Sequence, residues 1–407
     1  MADAFSVVEA VARASYGRLV SYLSARSRDV SGSEDALSDA FVAALATWPQ
    51  TGIPSKPEAW LLHAARRRLI DRLRLDRTRD KNAQLLREVL AEAEGLSSAL
   101  AFPDERLKLL FVCAHPAIDA RVHTPLMLQV VLGLDAAAIA AAFLTPAATM
   151  GQRLSRAKAK IRDTRVDFEL PAGAELEPRL SAVLEAIYAA YGHAWADVEG
   201  GDLERRGLTE EAIWLARVLV ELSPEAPEAL GLLALMQYCE ARRLARRTSS
   251  GEYVPISEQD IRLWNKARLE EAEHLLTRAA ALGKPGRFQL EAAVQSAHVE
   301  RARSGRTDWA AIALLYEGLV RVAPTFGALV GRAAAVAEAR GPAAGLALLD
   351  QILPNAVESY QPYWAARAHF QRRLGQMREA RAAFDKAIGL TEDAAVHRFL
   401  QRRADDA

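Results

Sequence analysis

The chain has 407 residues, of which 51% are hydrophobic and 26% are charged, so it is not a disordered protein and has room for two or three globular domains. Only two cysteines occur, Cys113 and Cys239, which excludes a disulfide scaffold and indicates a reducing compartment. The 52 basic and 52 acidic residues cancel, so the charge sum by itself does not point to a nucleic-acid partner.

The sequence carries no sign of export or of a membrane span. The first ten residues, MADAFSVVEA, lack the basic flank and long apolar run of a signal peptide. No apolar stretch reaches ~18 residues without a charge. We therefore expect a cytoplasmic protein that has no membrane partner.

The residue pattern predicts an all-α fold. Glycine and proline interrupt long runs that are rich in Ala, Leu, Arg and Glu, and period-two alternation is absent. We predict a first helical domain at 1–82, a helical linker at 83–100, a second small domain at 101–170 and a long helical-repeat domain at 175–407.

The first segment contains an acidic helix followed by a basic one. Residues 33–41 form an amphipathic acidic helix, with Leu37 and Phe41 on its apolar face. After a turn at 48–60, a basic helix is predicted to point Leu61, Leu62, Ala65, Leu69 and Leu73 inward and its arginines outward. Between Lys56 and Lys81 there are nine basic and four acidic residues, which give a net charge of +5. Such an island is either a nucleic-acid contact or an ordinary solvated face.

The second segment has the pattern of a helix-turn-helix. Asp135 is predicted to cap a short helix whose Ile139 and Phe143 face the core. Thr145 and Pro146 then start a basic helix, with an inward stripe formed by Met150, Leu154, Ala157 and Ile161. A short helix, a tight turn and a basic helix can place side chains on base edges and phosphates, although the pattern also arises by chance.

The third segment repeats itself. The same spacing of small and apolar residues occurs twice, in Gly375, Ala380, Phe384 and Ala387 and in Gly207, Ala212, Ala216 and Leu219. In addition, positions 312, 346 and 380 are 34 residues apart. This spacing is typical of tetratricopeptide repeats, whose concave surface binds partners; the alternative is a generic helical bundle. A polar insertion at 246–260 interrupts the repeats, and we predict that it contacts the preceding domains.

These segments together resemble the extracytoplasmic-function sigma factors of the sigma-70 family. The resemblance lies in SGSEDALSDAF at 31–41, PEAWLLHAARRRLIDRLR at 57–74, DERLKLLFVCAHPAI at 104–118 and LTPAATMGQRLSRAKAKIR at 144–162. Residues 231–236, 241–246, 258–264 and 341–350 are similar to a subgroup that carries a C-terminal tetratricopeptide-like extension. The segments follow the order in which that subgroup has them.

The resemblance implies RNA polymerase core and promoter DNA as partners. The implied polymerase-binding residues are Glu34, Asp35, Leu37, Asp39 and Phe41. The residues implied to hold the −10 element are Arg66, Arg67, Arg68, Arg72 and Arg74. Those implied to reach the −35 element are Thr149, Gln152, Arg153, Arg156, Lys158 and Lys160. The family usually has asparagine where Arg67 stands, and many sigma factors place a base or phosphate contact where Gly151 stands.

Catalysis by this chain is not expected. Cys113 and His115 are a poor zinc signal without further ligands, and no HExxH motif or glycine-rich phosphate loop occurs. We expect neither a metal nor a cofactor. The extension is predicted to regulate the sigma domains or to be required for their activity, through contact with them. The competing hypothesis is a helical-repeat scaffold or ligand-sensing regulator that no longer recognises promoters.

Overall fold

The structure, a computed structural model, describes residues 4–75, 104–131, 133–143, 145–196, 203–353, 357–391 and 393–405. In these ranges the chain forms helices joined by turns and contains no strand, which confirms the predicted all-α fold. It divides into two compact units, Met1–Val218 and Leu219–Ala407. The predicted linker at 83–100 lies outside the described residues. None of the described helices is long and apolar enough to cross a membrane.

Eight of the described helices lie in the first unit, and a ninth starts there. They are α1 Ala4–Ser27, α2 Val30–Thr51, α3 Pro57–Leu75, α4 Arg106–Cys113, α5 Ala120–Val130, α6 Ala136–Ala142, α7 Ala147–Thr164, α8 Leu176–Ala196 and α9 Leu203–Leu222. The last of these crosses the border between the two units.

Helices α1, α2 and α3 pack on one another as a three-helix module. Asp29 caps α2 by accepting a hydrogen bond of 3.1 Å from the Gly32 backbone N–H. The helix then runs to Thr51, past the predicted start of the turn at residue 48. Trp48 explains the extension, because its indole is buried and meets the ring of Trp60 edge-on with centroids 5.5 Å apart.

Helices α4 to α7 form the second module of this unit. Asp135 caps α6 as predicted, with its carboxylate 2.7 Å from the Ala138 nitrogen. Phe143 was expected in the core but is 37% exposed, because α6 ends at Ala142 and leaves this side chain in the turn. Helix α7 begins at Ala147 with Pro146 at its N-cap, one residue later than the predicted Thr145 cap.

The first unit continues beyond the predicted boundary near residue 175. Helix α8 packs against α5 and α4. Arg106 of α4 lies 4.1 Å from the ring centroid of Trp214 on α9 and is paired with Glu211 of the same helix. The compact unit therefore includes about forty residues that the sequence pattern places in the repeat domain; the predicted domain limits stay a prediction.

The second unit is an array in which each helix packs on its neighbours. Its helices are α10 Pro227–Ala241, α11 Lys266–Ala281, α12 Arg287–Val299, α13 Arg301–Ser304, α14 Trp309–Val322, α15 Phe326–Arg340, α16 Pro342–Leu349, α17 Gln361–Arg373, α18 Met377–Gly389 and α19 Ala394–Asp405.

The helix starts follow the spacing that the sequence pattern predicts. Helices α14, α16 and α18 begin at residues 309, 342 and 377, spaced by 33 and 35 residues. The apolar positions Ile312, Ala380, Phe384 and Ala387 are all buried. Leu353, which fits the repeat pattern only loosely in the sequence, is 72% exposed because α16 already ends at Leu349. The tetratricopeptide assignment itself stays a prediction.

The polar insertion contacts the last helix of its own unit and the residue that precedes it. Its contact with the preceding modules stays a prediction. Arg247 pairs with Asp393 at 2.5 Å, and Glu252 accepts hydrogen bonds from Arg398 at 2.8 Å and Arg402 at 2.6 Å. The ring of Tyr253 meets Phe399 edge-on at 5.3 Å. We call these contacts between residues 247–253 and 393–402 the clasp. It joins segments about 146 residues apart in sequence, beyond the reach of the nearest-neighbour packing that defines repeat arrays.

Candidate nucleic-acid interface

A groove on the first module brings basic and aromatic side chains together. It has a volume of about 820 Å³ and lies between α2 and α3. Its lining residues are Ala43, Thr47, Trp60, His63, Ala64, Arg66, Arg67, Arg68, Ile70 and Asp71. Arg67 and Arg68 are exposed, and Trp60 is half-buried at the same wall. Cations next to an aromatic ring can hold the phosphates and stack the bases of an unpaired strand.

Trp60 is the residue that the sequence analysis missed. Its side chain lines the groove, and the contact with Trp48 fixes its orientation. An aromatic residue one to two turns before a run of arginines is a signal that could have found it.

Arg66 does not point outward as the sequence analysis predicts. Only 4% of the residue is exposed, its Nη2 lies 3.3 Å from the Tyr22 hydroxyl, and its guanidinium lies 5.4 Å from that ring's centroid. The reason is helical spacing: Arg66 is four residues after buried Leu62 and three before buried Leu69, so it lies on the inward face. Arg72 and Arg74 lie in the last turns of α3, where side chains are outside the described part of the chain.

Replacing Arg66 by methionine is therefore expected to destabilise the first module, whereas the same change at Arg67 is expected to weaken DNA binding. The first change leaves the buried Tyr22 hydroxyl without this donor, which costs about 1–3 kcal/mol. The second removes an exposed cation and changes the free energy of unfolding by less than about 0.5 kcal/mol. Urea unfolding and DNA titration of both variants measure the two effects. Equal loss of stability in both would contradict the assigned positions.

The acidic helix α2 presents only part of its predicted polymerase-binding set. Asp35 is exposed, while Asp39 and Phe41 are half-buried. Leu37 is fully buried because α2 lies between α1 and α3 and turns its apolar face into the module. Glu34 is turned toward α7.

Helix α7 buries the predicted stripe and displays most of the predicted contacts. Met150, Leu154, Ala157 and Ile161 are buried, as predicted. The exposed residues of the −35 set are Gln152, Arg153, Arg156 and Lys160, and Thr149 is half-buried. Because Arg153, Arg156 and Lys160 follow one another at steps of three and four residues, they share one face of the helix. This face can enter a groove of DNA.

Lys158 is the exception on α7. Its Nζ lies 2.7 Å from Oε2 of Glu34, and the two side chains are only 14% and 13% exposed. Burial raises the pKa of Glu34 above its ordinary value, and the ammonium group of Lys158 acts in the opposite direction. The pair joins a residue implied to bind DNA to a residue implied to bind polymerase.

Two families match parts of this chain. Residues 11–79, which contain α2, α3 and most of α1, match sigma-70 region 2. Residues 179–280 match a family of unknown function, DUF6596. No solved structure matches. An uncharacterized protein of Rhizobium meliloti (strain 1021), R00370, is 35% identical over 385 residues, which cover 93% of this chain and 90% of that protein. The chain belongs to the R00370 family.

In this member of the R00370 family, the region 2 match supports a sigma-70 family factor. Members of that family are transcription initiation factors and not enzymes. The match also indicates polymerase core and promoter DNA as partners. The DUF6596 segment includes most of α8, all of α9 and α10 and all but the last residue of α11, and it fits a C-terminal extension. Helices α4 to α7 lie between the two matched segments. Among the described residues, no group of three or more His, Cys, Asp or Glu could hold a metal ion.

Proposed function

We propose that this protein is an RNA polymerase sigma factor of the extracytoplasmic-function type, which directs core polymerase to specific promoters. The observation that carries the proposal is the position of the sigma-70 region 2 match. It covers the module whose groove holds exposed Arg67 and Arg68 beside Trp60. A module that must hold a separated DNA strand needs this combination of cations and a stacking surface.

In this proposal α3 holds the −10 element. Arg67 and Arg68 contact phosphates, and Trp60 offers a ring face to an unpaired base. Arg66 supports the groove from below through Tyr22 and does not itself reach DNA. Arg72 and Arg74 belong to the same proposed −10 set.

Helices α6 and α7 act as a helix-turn-helix that binds the −35 element. A recognition helix contacts base edges from its N-terminal half. The proposed contacts in or next to that half of α7 are Thr149, Gln152, Arg153 and Arg156. Lys158 and Lys160 follow one turn later and hold the backbone. The alanine-rich α6 packs against α7.

Helix α2 supplies the polymerase-binding surface. Asp35 is exposed on it, and Asp39 and Phe41 are partly accessible in the next turn. Glu34 belongs to this surface once it is released from Lys158. The C-terminal helical repeats regulate the sigma modules or are required for their activity, and the contact of Arg106 with Trp214 and Glu211 is a route for that coupling.

The full chain mixed with core polymerase is expected to start transcription from members of a promoter library that core alone does not transcribe. Replacing both Arg67 and Arg68 by alanine is expected to reduce this initiation, because each change removes one phosphate contact, which contributes about 0.7 to the salt slope on a single strand. The matched control is Arg121→Ala with Arg262→Ala, which removes two arginines that are 85% and 87% exposed and lie outside α3 and α7.

Initiation no greater than that of core alone would overturn the proposal. Binding to core without initiation would favour the scaffold or ligand-sensing regulator instead. Equal loss in the control variant would show that the effect is one of overall charge and not of the groove.

A further inference from the structure

The two modules of the first unit share a close interface. Helix α1 packs against α4 and α5, and α2 packs against α7. The buried pair between Glu34 and Lys158 lies within this interface. At its rim Arg28 and Asp167 approach to 3.4 Å, with side chains 50% and 75% exposed.

Backbones approach closely at one point of the interface. A Cβ atom on Gly17 of α1 would lie 1.9 Å from the carbonyl oxygen of Val131, at the end of α5. Only glycine leaves room for this contact. Next to it, a Cβ atom on Gly133 would meet the ring of Tyr16 at 3.4 Å. The two modules therefore interlock through backbone atoms as well as through ion pairs.

We infer that the first unit is a self-blocking closed state, in which Glu34 of the polymerase-binding helix and Lys158 of the −35-binding helix neutralise each other. This inference rests on the proposed function. A polymerase surface would have to replace Lys158 as the partner of Glu34, and a DNA phosphate would have to replace Glu34 as the partner of Lys158.

The energetics of the pair suit a switch. Burying two charges has a desolvation cost that offsets most of their attraction, so such a pair adds little net stability to the closed state. Partners that bind only the open state can then shift the population toward it. Arg153, Arg156 and Lys160 stay exposed in the closed state, so DNA can be contacted before opening.

The decisive variant is Gly17→Leu, which forces α1 away from α5 and lies outside the proposed binding residues. Gly192→Leu is the matched control, because Gly192 is also helical, lies in the same unit and has no atom within 4 Å of a built Cβ. Hydrogen exchange of α5 and α7 in the full chain reports opening. If the open state holds about one tenth of the wild-type population, full opening raises apparent affinity for core polymerase about tenfold.

A second variant protects the test against a folding defect in Gly17→Leu. Arg28→Glu places an acid opposite Asp167 and weakens the rim without adding bulk to the helix interface. Circular dichroism checks that both variants keep their helix content. Arg28→Glu is expected to change hydrogen exchange and affinity in the same direction as Gly17→Leu, by a smaller factor.

Binding to non-specific duplex DNA tests the inference without polymerase. Release of Lys158 adds one phosphate contact, so the slope of log affinity against log salt is expected to steepen by about 0.9 in Gly17→Leu. Faster exchange with an unchanged slope and unchanged core affinity would overturn the closed-state inference. If the salt slope steepened but no binding to core polymerase were seen, the masking of Lys158 would be supported and the proposed sigma function would be rejected.

Discussion

Replacing Arg153 and Arg156 together by alanine is expected to weaken binding to DNA that contains the −35 element by about 10- to 100-fold. Both side chains are exposed on the outer face of α7, where no described contact holds them against the protein. A good base contact contributes about 1–3 kcal/mol of discrimination, and removing one phosphate contact lowers the salt slope by about 0.9. Titration of labelled duplex at several salt concentrations separates these two contributions.

The control removes the same formal charge elsewhere. Arg121→Ala with Arg262→Ala takes away two arginines that already pair with Asp119 and Asp260, beside them in sequence. This variant is expected to leave the salt slope nearly unchanged. If both double variants lowered affinity equally, α7 would not be the DNA-binding helix and the helix-turn-helix proposal would fail.

Replacing Asp393 by alanine is expected to lower the local stability of α19 by about 3 kcal/mol. Its carboxylate accepts hydrogen bonds from the backbone nitrogens of Ala395 and Val396 at 2.9 and 3.1 Å, and losing a helix cap costs about 1 kcal/mol. The change also leaves Arg247, whose side chain is 11% exposed, without its acidic partner. Removing one member of a buried pair costs about 3–5 kcal/mol, and the partial exposure of Asp393 reduces that figure.

Native-state hydrogen exchange of the α19 amides measures this loss. A fall of about 3 kcal/mol corresponds to exchange that is about 100-fold faster. Asp405→Ala, an exposed acid at the other end of the same helix, is the control and is expected to change exchange little. Similar exchange in the two variants would mean that the clasp does not hold α19.

The clasp is also expected to weaken in acid. Burial acts to raise the pKa of Asp393, but hydrogen bonds from Arg247 and from the backbone N–H groups of Val396 and Ala395 hold it below its ordinary value of 3.8. A lowered pKa contributes stability that is fully present above the ordinary value and is lost as pH falls through the folded value. Protection of α19, corrected for intrinsic exchange, should therefore fall below about pH 4, and Asp393→Ala should lack this component.

The sequence by itself determined the helices and their local chemistry. Asp135 caps α6, and the stripe from Met150 to Ile161 is buried, because both depend on residues three or four positions apart in one helix. The order of the segments also supported the sigma-70 resemblance, whose first part the region 2 match bears out.

Only the tertiary structure decided which partner each buried basic side chain meets. Arg66 meets Tyr22 across 44 positions, Lys158 meets Glu34 across 124, and Arg247 meets Asp393 across 146. In each case a basic side chain meets a partner from a distant segment, although the spacing of Arg66 from Leu62 and Leu69 already places it on the inward face of its helix. Spacing within a helix reports which residues share a face, but it does not report which other helix covers that face. That choice depends on the packing of distant segments, which is why the closed interface and the clasp were not predictable from the residue pattern.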